Sequence, residues 1–438
     1  MDRRQAMAGL ALSLAAFPRA LAAGSDPGDP RPILRTWYRL VLALVRHTPT
    51  YSPPVASRSL AYIGVTAFEA MALADPALRS LAGQLNGLTP PPRTAPPGVT
   101  DPAAVLDAAL SRVVGALFSN TGPTGQRALA SVSAKLAARA AEGLSAGRLA
   151  ASRAQGRAVA DHILGWAATD GGAVIENMGF PLAYDAPQGP EYWVPTSTAA
   201  VQQRPLLPGW GGNRPFAMPA GPAPCPLPPP PPYSEAPGSV FHADAMEVVD
   251  VAAALTDEQR AIARFWSDDP MLSATPPGHW IAIALQVLDE DDGSAARHAE
   301  ILALTGIALA DAFIACWASK FDYDLLRPVT YIRRVIDPGW EPLLNTPPFP
   351  EYPSGHSTQS AAAAAVLTRL LGEGRAFTDR TQDDDGLPAR RFPSFRAAAD
   401  EAGISRLYGG IHFRPAIERG LTQGDCVAAF ANALATRA

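Results

Sequence analysis

Residues 301–319, I-L-A-L-T-G-I-A-L-A-D-A-F-I-A-C-W-A-S, decide whether this chain is a membrane protein or a helical bundle. The run is long enough, at about 1.5 Å per helical residue, to approach the thickness of a bilayer core. Against a span, Asp311 stands at its centre and charged sequence follows directly at Lys320. A lone carboxylate is costly in hydrocarbon, so the stretch is read as a buried bundle helix, with no integral membrane span in the mature chain.

Outward from this helix, apolar residues recur at helical spacing over 33–46, 57–74, 102–118, 126–141 and 147–168, and again over 243–254, 256–266, 279–289, 294–319, 359–371, 394–403 and 416–436. Ala, Leu and Arg dominate these windows and β-branched runs are few, which predicts an all-α protein. From 172 the period fails and Pro and Gly accumulate, culminating in P-A-G-P-A-P-C-P-L-P-P-P-P-P-P-Y, which favours extended polyproline II over helix. The expected organisation is a signal peptide at 1–22, a helical bundle at 31–171, a Pro/Gly-rich connector at 172–242 and a second bundle at 243–438. The connector reads as an ordered surface segment or as a flexible linker.

Composition narrows the partners. The 438 residues carry 41 acidic and 36 basic groups, a formal charge of −5, which argues against a nucleic-acid surface. The three cysteines, Cys225, Cys316 and Cys426, are too few and too scattered for a disulfide framework or zinc cluster, and Cys316 and Cys426 are expected to be buried thiols. Among the basic residues only Lys135 and Lys320 are lysine. Each therefore merits inspection.

The N-terminus pairs Arg3 and Arg4 with an apolar stretch from Ala6 to Phe17 and the small-residue site Ala20-Leu21-Ala22. This layout predicts an exported protein, periplasmic or secreted, and the adjacent arginines fit the twin-arginine route, which carries folded cargo.

Three short stretches concentrate unusual polar chemistry. In K-F-D-Y-D-L-L-R-P, at about 100° per residue, an unbroken helix would set Lys320 and Arg327 on one face before Pro328 ends it. In F-P-E-Y-P-S-G-H-S-T-Q-S, Pro353 and Gly355 break the chain ahead of an Ala-rich helix, gathering Ser354, the Gly355 amide and His356 at a helix N-terminus suited to an anion. In S-R-L-Y-G-G-I-H-F-R-P-A, Gly409 and Gly410 permit close approach, so that Arg406 and His412 can face a common point. Taken singly, these are a solvated face, an N-cap and a structural histidine. Together they supply three cations, neutral donors and two imidazoles, which suits a tetrahedral oxyanion.

These three stretches resemble the vanadium-dependent haloperoxidases and the type 2 phosphatidic acid phosphatases, which share a fold and an anion site. The shared pattern is K-x-x-x-x-x-x-R-P, then P-S-G-H, then S-R-x-x-x-x-x-H-x-x-x-D; here stand Lys320 to Pro328, Pro353 to His356, and Ser405-Arg406 to His412. The resemblance implies two four-helix bundles. It also implies a vanadate cofactor held by Lys320, Arg327, Ser354, Gly355, Arg406 and His412, with His412 as the axial ligand, His356 as general acid–base, and Lys320 polarising a peroxide oxygen. Trp317 and Phe349 match aromatic positions beside the halide site, and Asp268 or its neighbour Asp269 the carboxylate that orients the acid–base histidine.

The pattern is broken at one place. Its final Asp is Ala416 here, with Glu418 two residues further on. A carboxylate there would accept the second ring N–H of the ligand histidine, and its loss weighs more against a phospho-histidine than against vanadate coordination. The leading expectation is an exported haloperoxidase-like oxidoreductase acting on hydrogen peroxide, halide and a small organic acceptor. The alternatives are an acid phosphatase with no cofactor, taking a phosphate ester in the same pocket, and a non-catalytic anion-binding helical protein.

Overall fold

The computed structural model describes Asp26 and residues 28–197, 202–219 and 224–438. The expected signal at 1–22 lies outside the described residues.

Proline, abundant here, sits where a helix accepts it. It opens α1 (Pro30–Arg46), α2 (Pro53–Ala72), α3 (Pro102–Leu117) and α4 (Pro123–Arg139), where the missing N–H would have had no intrahelical partner. Polar caps start others: Ser145 accepts from the Arg148 amide at α5 (Ala146–Ala167), Ser239 from His242 at α6 (Val240–Ala253), and Thr256 forms a capping box with Gln259 at α7 (Asp257–Phe265). After these come α8 (Thr275–Asp289), α9 (Ala295–Tyr323), α10 (Pro328–Val335), α11 (Gly355–Leu371), α12 (Phe395–Tyr408) and α13 (Arg414–Asn432). The protein is all-α. Among the described residues, the only regular sheet pairs β1 (Phe377–Asp379) with β2 (Arg390–Phe392) antiparallel, Phe377 opposite Phe392.

Two compact units form, each from separated segments. One comprises Met1–Asp170, Asp269–Ile307 and Ala433–Ala438; the other Gly171–Asp268 and Ala308–Asn432. This differs from the contiguous division at 31–171 and 243–438. A helix's apolar period reveals that it has a buried face and says nothing of which distant helix covers it.

In the first unit α3 packs on α1, α2 and α5, α2 also packs on α5, and α4 and α8 lie alongside. Gly156 lets α5 meet the α3 backbone, since a Cβ there would lie 2.3 Å from the Val105 carbonyl oxygen. In the second unit α11 packs on α12 and α13, and α6 and α7 pack on α12. Gly424 serves the same purpose between α13 and α11: a Cβ would come within 2.1 Å of the Thr358 carbonyl.

The segment at 172–242 belongs wholly to the second unit and its described part is tied down. The Asp311 carboxylate, at the centre of the apolar helix, accepts backbone N–H bonds from Phe216 (2.6 Å), Ala217 (2.8 Å) and Met218 (2.8 Å). Thus the charge that argued against a membrane span anchors the connector. Helix α9 is long and apolar enough to cross a membrane by length and composition, yet 94% of its apolar window is buried inside the protein.

Cys225 and Cys426 form a disulfide across 201 residues of sequence, which corrects the expectation of a buried free thiol at Cys426. Nothing local signals such a pairing, because the fold alone sets the 5.8 Å between their Cα atoms. Cys316 is a buried free thiol, as expected.

Candidate active site

Lys320 lies in the last turn of α9, which ends at Tyr323. Asp324 then takes a left-handed conformation (φ 45°), and Arg327 is extended (φ −81°, ψ 153°) because the residue before a proline is pushed out of the helical region. Lys320 and Arg327 therefore do not share one helical face, and Pro328 starts α10 instead of simply ending a helix. Both side chains are nonetheless fully buried, at 0% exposure.

They meet the same passing segment of chain. Lys320 Nζ donates to the carbonyls of Pro350 (2.8 Å), Glu351 (3.0 Å) and Pro353 (2.5 Å), which uses all three ammonium protons. Arg327 donates through Nε to the Phe349 carbonyl (2.8 Å) and through Nη1 to the Ile411 carbonyl (2.9 Å). The other Nη1 proton faces Nε2 of His412 at 3.1 Å, while Nη2 is buried with no hydrogen-bond partner.

Ser354 is the N-cap of α11, its Oγ accepting from the Ser357 amide at 3.3 Å, so Gly355 and His356 occupy the first turn. His356 is half-buried, and its ring nitrogens lie 3.1 and 3.4 Å from Nη1 of Arg406, a residue of the last turn of α12. His412 follows the turn at Gly409–Gly410 and is buried, with Nδ1 2.8 Å from Oε1 of Glu351. Guanidinium only donates, so Nε2 of His412 must accept and Nδ1 must carry the ring proton. The nitrogen that would face an anion thus keeps its lone pair.

The comparisons point one way. The family model for the VCPO second helical-bundle domain matches residues 300–438. The vanadium chloroperoxidase of Curvularia inaequalis is 29% identical over 154 residues, which span 30% of this chain and only 25% of that relative. The crystal structure of the first bacterial vanadium-dependent iodoperoxidase is 36% identical, with a TM-score of 0.85, over 95% of this chain and 99% of its own. The chain belongs to the vanadium-dependent haloperoxidase family. A holo-type bacterial vanadium-dependent chloroperoxidase shares the fold at 17% identity, with a TM-score of 0.69 over 89% of this chain and 93% of its own.

The haloperoxidase-family residues form a buried cluster rich in cationic side chains. Burial, then the charges of Arg327, Lys320 and Arg406, holds His412 well below its usual pKa. Burial pulls Lys320 down to about 7 and Arg327 to about 10. The donor set fits an oxyanion: an unpartnered buried Arg327 Nη2, two more cations and a helix N-terminus. Among the described residues no group of three or more His, Cys, Asp or Glu is arranged to hold a bare metal ion.

Trp317 and Phe349 come together as the sequence suggested, with ring centroids 4.9 Å apart and Lys320 Nζ 5.9 and 5.1 Å from them. Asp268 is buried with its backbone left-handed (φ 48°), and its carboxylate accepts from Gln382 Nε2 at 3.1 Å. The residue that sequence reasoning missed is Glu351. It stands in the F-P-E-Y-P-S-G-H stretch, whereas the family pattern places the carboxylate partner of His412 downstream, where Ala416 is found. Burial raises Glu351 to about 7.

Proposed function

We propose that this protein is an exported enzyme that binds vanadate and uses hydrogen peroxide to oxidise halide to hypohalous acid, which then reacts with a small organic acceptor. The observation that carries this reading is the buried pairing of His412, whose Nε2 lies 3.1 Å from Arg327 Nη1 while its Nδ1 lies 2.8 Å from Glu351 Oε1, an arrangement that leaves Nε2 unprotonated. Bound vanadate would supply a Lewis-acidic centre to activate peroxide.

The chain's own residues do the rest. His412 would hold the anion through its Nε2 lone pair, while Arg327 and Arg406, with the Gly355 end of α11, would balance oxyanion charge. His356, the half-exposed imidazole beside Arg406, is placed to move protons between pocket and solvent. The positive field of Lys320 raises the electrophilicity of an oxygen held beside it, although its protons are committed to carbonyls in this arrangement. Trp317 and Phe349 supply a polarisable wall for halide. Iodide is the first halide to test, since the bacterial structure 36% identical to this chain is an iodoperoxidase. Export is supported by the Cys225–Cys426 disulfide, which suits an oxidising compartment, and by the Arg3–Ala22 sequence.

A phosphatase working through a phospho-histidine is the second reading, because Glu351 on His412 Nδ1 supplies the carboxylate that such a nucleophile needs. One experiment separates them: titrate the purified apo protein with orthovanadate, and follow triiodide formation with peroxide and iodide beside aryl-phosphate hydrolysis. Vanadate-dependent triiodide formation is expected. Steady hydrolysis without vanadate, and no halide oxidation at saturation, would move the assignment to the phosphatase.

A further inference from the structure

The sequence lacks the carboxylate that its relatives' pattern places four residues after the ligand histidine, yet His412 is not left without one. We infer that Glu351, contributed by the segment ahead of α11, takes over that position's work and fixes His412 in the tautomer that presents Nε2 as a lone pair. This inference rests on the reading of His412 as the residue that would hold the anion.

The geometry is closed on both sides of the imidazole. Nδ1 donates to Glu351 Oε1 at 2.8 Å, and Nε2 accepts from Arg327 Nη1 at 3.1 Å. The same Oε1 accepts the Phe413 amide at 2.9 Å, so the ring and the backbone that carries it are pinned to one oxygen. Glu351 is itself fixed: its amide donates to the Leu325 carbonyl at 2.9 Å and its carbonyl accepts from Lys320 at 3.0 Å. Ala416, fully buried, offers the ring no polar group. Without Glu351 the Nδ1–H would be buried without an acceptor, and the ring would be free to shift its proton to Nε2, where it blocks coordination.

Glu351 is thus a positioning residue, and a purely structural role is distinguishable from it. In Glu351→Gln the amide oxygen keeps an acceptor for Phe413 while the charge facing the imidazole is lost. The full-length apo protein, labelled with 15N-histidine, should show His412 protonated at Nδ1, the resonance being assigned by its loss in His412→Ala. Glu351→Gln should melt close to the wild type, shift that resonance toward the Nε2–H form, and weaken orthovanadate binding about 10–100-fold by calorimetry. Adding Ala416→Asp to Glu351→Gln should recover much of that affinity. A wild-type His412 protonated at Nε2, or Glu351→Gln binding vanadate as tightly as the wild type, would overturn the inference. A double variant that folds normally and recovers nothing would overturn the exchange of one carboxylate for the other. Should the wild type bind no vanadate, the functional reading falls, while the apo tautomer comparison still decides this one.

Discussion

Nη1 of Arg327 lies 3.1 Å from Nε2 of His412, so the guanidinium already rests against the nitrogen that the anion is proposed to take. The fork is held by two backbone carbonyls, Phe349 and Ile411. Arg327→Lys keeps the charge but loses this planar geometry, and vanadate affinity is expected to fall by roughly 30-fold or more, about 2 kcal/mol, in a calorimetric titration. Unchanged affinity would show that charge alone suffices.

His356 touches the pocket through Arg406 and is half-exposed. His356→Ala should therefore keep vanadate affinity within about threefold while halide oxidation falls by about 10²–10⁴, the usual loss for a general acid–base. A variant that no longer takes up vanadate would place this histidine in binding instead.

Lys320→Met should lower the melting temperature as well as activity. The methionine keeps much of the side chain's bulk but leaves the carbonyls of Pro350, Glu351 and Pro353 buried without their donor, a cost of about 2–4 kcal/mol in denaturant unfolding. Lost activity at wild-type stability would mean that the segment at 350–353 does not depend on this lysine.

In the first unit, burial raises the Asp107 carboxyl to about 6 from its ordinary 3.8, against one hydrogen bond from Trp37 Nε1 at 3.0 Å. The folded state therefore holds the Asp107 proton more tightly than the unfolded state. Its contribution to stability is complete below pH 3.8 and is lost as pH rises to about 6. Asp107→Asn should remove that slope and be the more stable protein at pH 7, by at most about 3 kcal/mol in chemical denaturation. Parallel pH profiles for the two proteins would defeat the prediction.

Reduction, or Cys225→Ser, opens the link between the connector and α13. A cross-link closing so long a loop is expected to contribute about 2–5 kcal/mol, read as a lower denaturation midpoint in reductant. Equal midpoints with and without reductant would contradict this.

The helices and the site's raw materials were legible in sequence, for a physical reason: an apolar period and a motif's internal spacing are short-range properties of the chain. Hence the bundle helices, the Ser354 cap ahead of α11, and the set of Lys320, Arg327, Arg406, His356 and His412 could all be read in advance. A helix cap, too, depends only on its neighbours.

What the tertiary structure decided is how these pieces face one another. Pre-proline sterics at Arg327 and a left-handed Asp324 turned two residues expected on one helix face into cations that grip a shared strand of carbonyls. The pairing of Cys225 with Cys426, the discontinuous units and the carboxylate of Glu351 behind His412 all join residues far apart in sequence. Contacts at such separation depend on how buried faces find their partners. The sequence alone determined the helices and the set of cationic and imidazole side chains, and only the packed fold could supply the carboxylate that the motif lacked.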